Sequence, residues 1–91
     1  MMNISKIRQD FPILQAEIKN KPAIYFDNAC QTLRPLPVIE AINEYYREYP
    51  ACAGRSVHKL GELVTKKCDE ARDLIVKFIN AKRKEEIIFT R

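Results

Sequence analysis

Ala23-Ile24-Tyr25-Phe26-Asp27-Asn28-Ala29-Cys30-Gln31-Thr32 is the stretch on which the fold turns. Its first four residues form the longest unbroken apolar run in the chain, bounded by Asn20-Lys21-Pro22 before and Asp27-Asn28 after. A short apolar, aromatic-containing run between turn formers reads as a buried strand. A loop leaving such a strand, here Asp27-Asn28-Ala29-Cys30-Gln31-Thr32, is where open α/β proteins place ligand-contacting groups. Asp and Asn also favour an ordinary turn, because they hydrogen-bond their own backbone and tolerate unusual dihedrals. The residues alone leave both readings open.

Before this stretch, the apolar residues Ile4, Ile7 and Phe11 have the spacing of a short amphipathic helix, stopped by Pro12. After it, Val38, Ile42, Tyr45 and Tyr49 recur at helical intervals between Pro37, suited to a first helical position, and Pro50, just past the end. A longer helix follows the irregular residues 51–55, with Ser56 as N-cap and Asn80 as a left-handed stop. Its apolar stripe is Val57, Leu60, Val64, Cys68, Ala71, Ile75 and Phe78, which assigns Cys68 to the core. The closing Glu86-Ile87-Ile88-Phe89-Thr90-Arg91 reads as a strand that needs cover on both faces. Two short strands far apart in the chain do not make such a sheet, so the expected α/β pattern of two main helices and short strands lacks its sheet neighbours. It looks cut off mid-fold.

The chain has 91 residues, 46% hydrophobic and 31% charged, with three cysteines and no tryptophan, which sets an upper limit of one small domain. The run 23–26 is far short of the roughly 20 apolar residues a membrane-spanning helix needs, and the first residues lack an apolar signal core. The expected address is the cytoplasm. Cys30, Cys52 and Cys68 fit neither a disulfide framework nor a paired Cys-x-x-Cys zinc site. His58 is the only histidine, so neither a two-histidine metal site nor a Cys-His-Asp nucleophilic set can be assembled. With Ser56 as cap, His58 falls in the first helical turn, among backbone N–H groups that favour an anion. Arg55 suits bidentate pairing with a carboxylate, or a solvated linker charge. The net charge is +4, and Lys82-Arg83-Lys84 is the densest basic run. Glu85-Glu86 follows at once and no aromatic is interleaved, so a solvated turn outweighs a phosphate patch.

The pieces also assemble into a familiar order. Ile24-Tyr25-Phe26-Asp27-Asn28-Ala29, then Thr32-x-x-Pro35-x-Pro37 leading into Val38-Ile39-Glu40-Ala41-Ile42, resembles the N-terminal region of the class V aminotransferase family. This is the pyridoxal-phosphate (PLP) group that contains the cysteine desulfurases. The resemblance continues through Arg55-Ser56-Val57-His58-Lys59-Leu60, Ala71-Arg72, Phe78-Ile79-Asn80-Ala81 and Glu85-Glu86-Ile87-Ile88-Phe89-Thr90-Arg91. The opening Asp10-Phe11-Pro12-Ile13-Leu14 is similar to that of the SufS-like desulfurases. Two positions depart from the pattern: Cys30 replaces a second alanine, and Gly54 replaces a histidine common in the desulfurases.

The resemblance implies a fold-type I PLP-dependent transferase, here its N-terminal segment, with 1–22 an arm and 23–91 the start of the fold. It implies a homodimeric parent acting on an amino acid, with sulfur mobilisation in the desulfurase case. Asn28, Ala29 and Cys30 would lie near the substrate end of the cofactor cleft, and Arg55 and His58 in a loop approaching it near the dimer interface. These five are substrate-side residues; no catalytic, cofactor-binding or metal residue is implied. The family's phosphate-cradling turn, ring-nitrogen aspartate and Schiff-base lysine come after the position of Arg91. PLP therefore belongs to the intact enzyme, and this chain alone is expected to hold none and to be inactive, without nucleic-acid or membrane partners. The alternatives are a small helical module docking on a full-length relative or other partner and, behind it, a basic nucleic-acid binder.

Overall fold

The structure, a computed structural model, describes residues 1–90; Arg91, the end of the expected second strand, lies outside them. The chain divides into two compact units, Met1–Glu44 and Tyr45 onward.

In the first unit, α1 (Ile4–Gln9) begins at Asn3, whose side chain accepts the Lys6 N–H at 3.0 Å. This satisfies one of the N–H groups that a helix start leaves without a partner. A 3-10 turn at Pro12–Gln15 leads into β1 (Glu17–Ile18), which pairs antiparallel with β2 (Lys21–Pro22), Glu17 opposite Pro22 and Ile18 opposite Lys21. The two residues between them, Lys19 and Asn20, have φ of 52° and 61°. Positive φ at both turn positions matches the right-handed twist of a tight hairpin. The Ala23 N–H bonds Ala16 O at 3.1 Å, and the Leu36 N–H bonds Asp10 O at 2.7 Å. These tie the central stretch and the start of the next helix to the N-terminal arm.

That helix, α2, covers Leu36–Glu48. The Val38 N–H bonds Pro35 O at 3.0 Å, so Pro37 is the second helical residue, not the first as expected. Either position suits a residue with no N–H to donate.

In the second unit, α3 covers Lys59–Ile79. Its N-cap is His58, whose Nδ1 accepts the Gly61 N–H at 3.4 Å; it is neither Ser56 nor a preceding residue. His58 therefore stands at the helix threshold and not within its first turn. Ser56 is instead tucked sideways against Gly61: a Cβ on Gly61 would meet the Ser56 Cβ and carbonyl oxygen at 2.4 Å. At the other end Asn80 is left-handed, with φ 55°. The Ala81 N–H closes onto Val76 O at 2.9 Å and the Asn80 N–H onto Lys77 O at 3.3 Å, a Schellman stop as the sequence indicated.

Two expectations are corrected. Neither 23–26 nor 87–90 forms a strand, because neither finds a ladder partner among the described residues, and a 3-10 turn at Lys84–Glu86 takes the start of the second. The α3 stripe is also shallower than its periodicity implies. Val64 is buried, Cys68 and Ile75 are half-buried, and Ala71, Val57 and Phe78 are exposed. Periodicity says which face a helix offers, not whether anything covers it.

Among the described residues the buried apolar side chains are Ala23, Tyr49 and Val64. The accessible surface is 8400 Å². Surface scaling gives about 5,500 Å² for one compact body of this mass, and about 6,600 Å² even for two separate bodies of half that mass. Excess surface therefore resides inside each unit, and much of it is apolar: Ile24 is 78% exposed, Phe26 95% and Phe78 90%.

Candidate functional site

The three candidates of the central stretch share one turn. Both the Cys30 and the Gln31 N–H donate to Asp27 O at 3.1 Å, closing a helix-like turn. The Tyr25 hydroxyl bridges its two ends, at 3.0 Å from Asp27 O and in a short contact with Gln31 O. Asn28, Ala29 and Cys30 are exposed, so the turn presents them outward from a stapled base. Beside it lies an open cleft of about 420 Å³, lined by the apolar Phe11, Leu14 and Phe26 and by the polar Arg8, Tyr25 and Asn28 among others. Arg8 and Tyr25 were not singled out by sequence reasoning. Tyr25 was hidden inside an apolar run, where its hydroxyl carried no positional signal.

Arg55 and His58 share a second segment, in the other unit. The Ser56 N–H bonds Cys52 O at 3.3 Å, and the Gly54 N–H donates to Thr65 Oγ1 at 2.8 Å. The Thr65 hydroxyl in turn donates to Gly61 O at 2.7 Å. Gly54 has φ 72°, a left-handed conformation that favours glycine. Arg55 and His58 are both exposed. His58 spends its Nδ1 on the helix cap, which leaves Nε2 to face solvent. The basic run at 82–84 is partly neutralised from within: Arg83 Nε lies 3.7 Å from Glu86 Oε1, and the Lys82 N–H bonds Glu86 Oε2 at 3.3 Å.

A PLP site needs an amine for the aldehyde, a cradle for the phosphate and a carboxylate facing the ring nitrogen. The 420 Å³ cleft offers a guanidinium and an amide but neither lysine nor carboxylate. A more open cleft in the same unit, about 530 Å³, is lined by Pro12, Ile13, Gln31, Arg34 and Ile39 among others and also lacks both. A groove along α3 holds Lys66, yet Glu62, Asp69, Glu70 and Asp73 line it too, a field that repels phosphate. Lys66 itself lies 3.9 Å from Glu70. The residues of these clefts do not fit PLP by themselves. No group of three potential metal ligands occurs among the described residues, and no helix among them is long and apolar enough to cross a membrane. Taken separately, each unit offers an exposed guanidinium able to pair with a carboxylate, Arg8 in the first and Arg55 in the second.

From Ile24 to the end, residues 24–91, the sequence matches the aminotransferase class-V family, and the chain belongs to that family. Among its relatives, a probable cysteine desulfurase of Halalkalibacterium halodurans is 44% identical over 90 residues, 99% of this chain and 22% of the relative. Probable cysteine desulfurases of Streptomyces coelicolor, at 39% over 92 residues, and Staphylococcus epidermidis, at 39% over 89 residues, cover 100% and 98% of the chain and again 22% of each relative. The chain thus spans about a fifth of the length of these proteins. The motif resemblance and the family match agree on the class.

Proposed function

We propose that the chain is the N-terminal part of a PLP-dependent cysteine desulfurase, in which it supplies a substrate-side wall rather than the catalytic centre. The observation that carries this reading is the match along the whole chain to probable cysteine desulfurases. In this reading Asn28, Ala29 and Cys30 belong to the substrate end of the cofactor cleft of the intact enzyme, and Arg55 and His58 to a loop that approaches its active site near the dimer interface. Residues 1–22 are, on the same reading, an N-terminal arm and 23–91 the start of the fold. In this reading PLP is bound by parts of the enzyme outside these residues, the enzyme is a cytoplasmic homodimer, and nucleic acid is not a partner.

The test is sulfide release from L-cysteine with a thiol reductant, using the enzyme that contains this chain. Arg55→Ala is expected to raise KM for L-cysteine about tenfold, the loss of one charge-assisted contact, with a smaller effect on kcat. Unchanged KM in that variant, or no sulfide release from the parent, removes the reading. For the 91-residue chain alone, PLP followed by borohydride is expected to leave no lysine labelled stoichiometrically. One fully labelled lysine reverses the assignment of the cofactor site.

A further inference from the structure

Arg55 sits between two anchored neighbours. On one side the Gly54 N–H is held at 2.8 Å by Thr65 Oγ1, in the second turn of α3. On the other, Ser56 packs so closely on Gly61 that a Cβ there would meet it at 2.4 Å. Thr65 cannot drift, because its own hydroxyl proton is committed to Gly61 O at 2.7 Å. A threonine that bonds back to the carbonyl four residues earlier does nothing for a helix, and glycine is a poorer helix former than alanine. Both features run against helix propensity, and both meet the same three residues, 54 to 56. Gly61 supplies the room and Thr65 supplies the acceptor. Arg55, between the anchors, is exposed, which leaves its guanidinium free to engage a ligand.

We infer that Gly61 and Thr65 of α3 are positioning residues, a latch that fixes the backbone on both sides of Arg55. The substrate contact of Arg55 rests on the function proposed above; the latch does not. A side chain on a fixed backbone loses less freedom when it binds, so the latch lowers the cost of engaging a carboxylate.

The test is amide hydrogen exchange, read at single-residue resolution, in the enzyme that contains this chain. The Gly54 amide is expected to exchange at least tenfold more slowly than that of Ala53. Thr65→Val keeps the shape but removes the acceptor: Gly54 protection is expected to vanish while Leu63–Phe78 amides stay as they were. Thr65→Ser is expected to restore it. Gly61→Ala is expected to free Gly54 as well, despite the better helix former, and to speed tryptic cleavage after Arg55 severalfold. Equal exchange of Gly54 and Ala53 in the parent chain, or protection that survives Thr65→Val, overturns the latch. In the enzyme containing this chain, Thr65→Val is expected to raise KM for L-cysteine severalfold at nearly constant kcat, with recovery in Thr65→Ser. Loss of Gly54 protection with unchanged KM supports the latch and counts against the substrate role of Arg55.

Discussion

Asn80 stops α3 at a φ of 55°, a conformation in which a Cβ crowds the following carbonyl unless a short polar side chain compensates. Asn80→Ala is expected to cost about 1 kcal/mol of helix stability and Asn80→Gly to cost nothing, read from the thermal loss of 222 nm dichroism. The Tyr25 hydroxyl is a second single-residue device, since one group bridges the Asp27 and Gln31 carbonyls and so shapes the turn that presents Asn28, Ala29 and Cys30. Tyr25→Phe is expected to weaken that turn by about 1 kcal/mol. Faster exchange of the Cys30 and Gln31 amides checks it; unchanged exchange shows that the Asp27 carbonyl holds the turn alone. Asn80 was legible in the sequence because left-handed stops follow composition. The roles of Tyr25 and His58 were not, because a hydroxyl staple and a cap exchange depend on distances that spacing does not encode.

At the scale of elements, all three helices were foreseen from periodicity and proline placement, and they occur within a residue or two of the expected limits. The end of α2 is fixed by Tyr49, which is buried, packs edge-on to Tyr45 with ring centroids 5.8 Å apart and lies 5.8 Å below the Lys67 ammonium. The Tyr45 hydroxyl adds a bond to Ala51 O at 3.2 Å. Tyr49→Ala is expected to remove about 3 kcal/mol of packing, seen as loss of near-ultraviolet dichroism with far-ultraviolet helicity largely kept. The β1–β2 hairpin was missed because two-residue strands carry no periodicity, and its turn begins with lysine, an uncommon residue at positive φ. The two apolar runs were read as strands for a sound reason, yet a strand exists only against a partner. Phe89 meets a cation instead, with the Arg72 guanidinium 5.0 Å from its ring.

At the scale of the whole molecule, the deciding quantity is 8400 Å² of accessible surface, far above what compact bodies of this mass expose. Apolar faces left open at Ile24, Phe26, Phe78 and Ile88 favour association. The 91-residue chain alone is expected to enhance ANS fluorescence and to sediment with concentration-dependent mass. A monomer at every concentration without dye binding would identify a self-sufficient module and favour the interaction-module reading over the enzyme part. Sequence by itself determined the class and the helices, because family motifs, helical period and capping chemistry are local properties of neighbouring residues. Only the tertiary structure decided that the expected strands stand unpaired, that His58 and not Ser56 caps α3, and that Gly54 and Ser56 are held by Thr65 and Gly61. Those outcomes depend on distances between particular atoms, and a contact at 2.8 Å leaves no trace in composition or period.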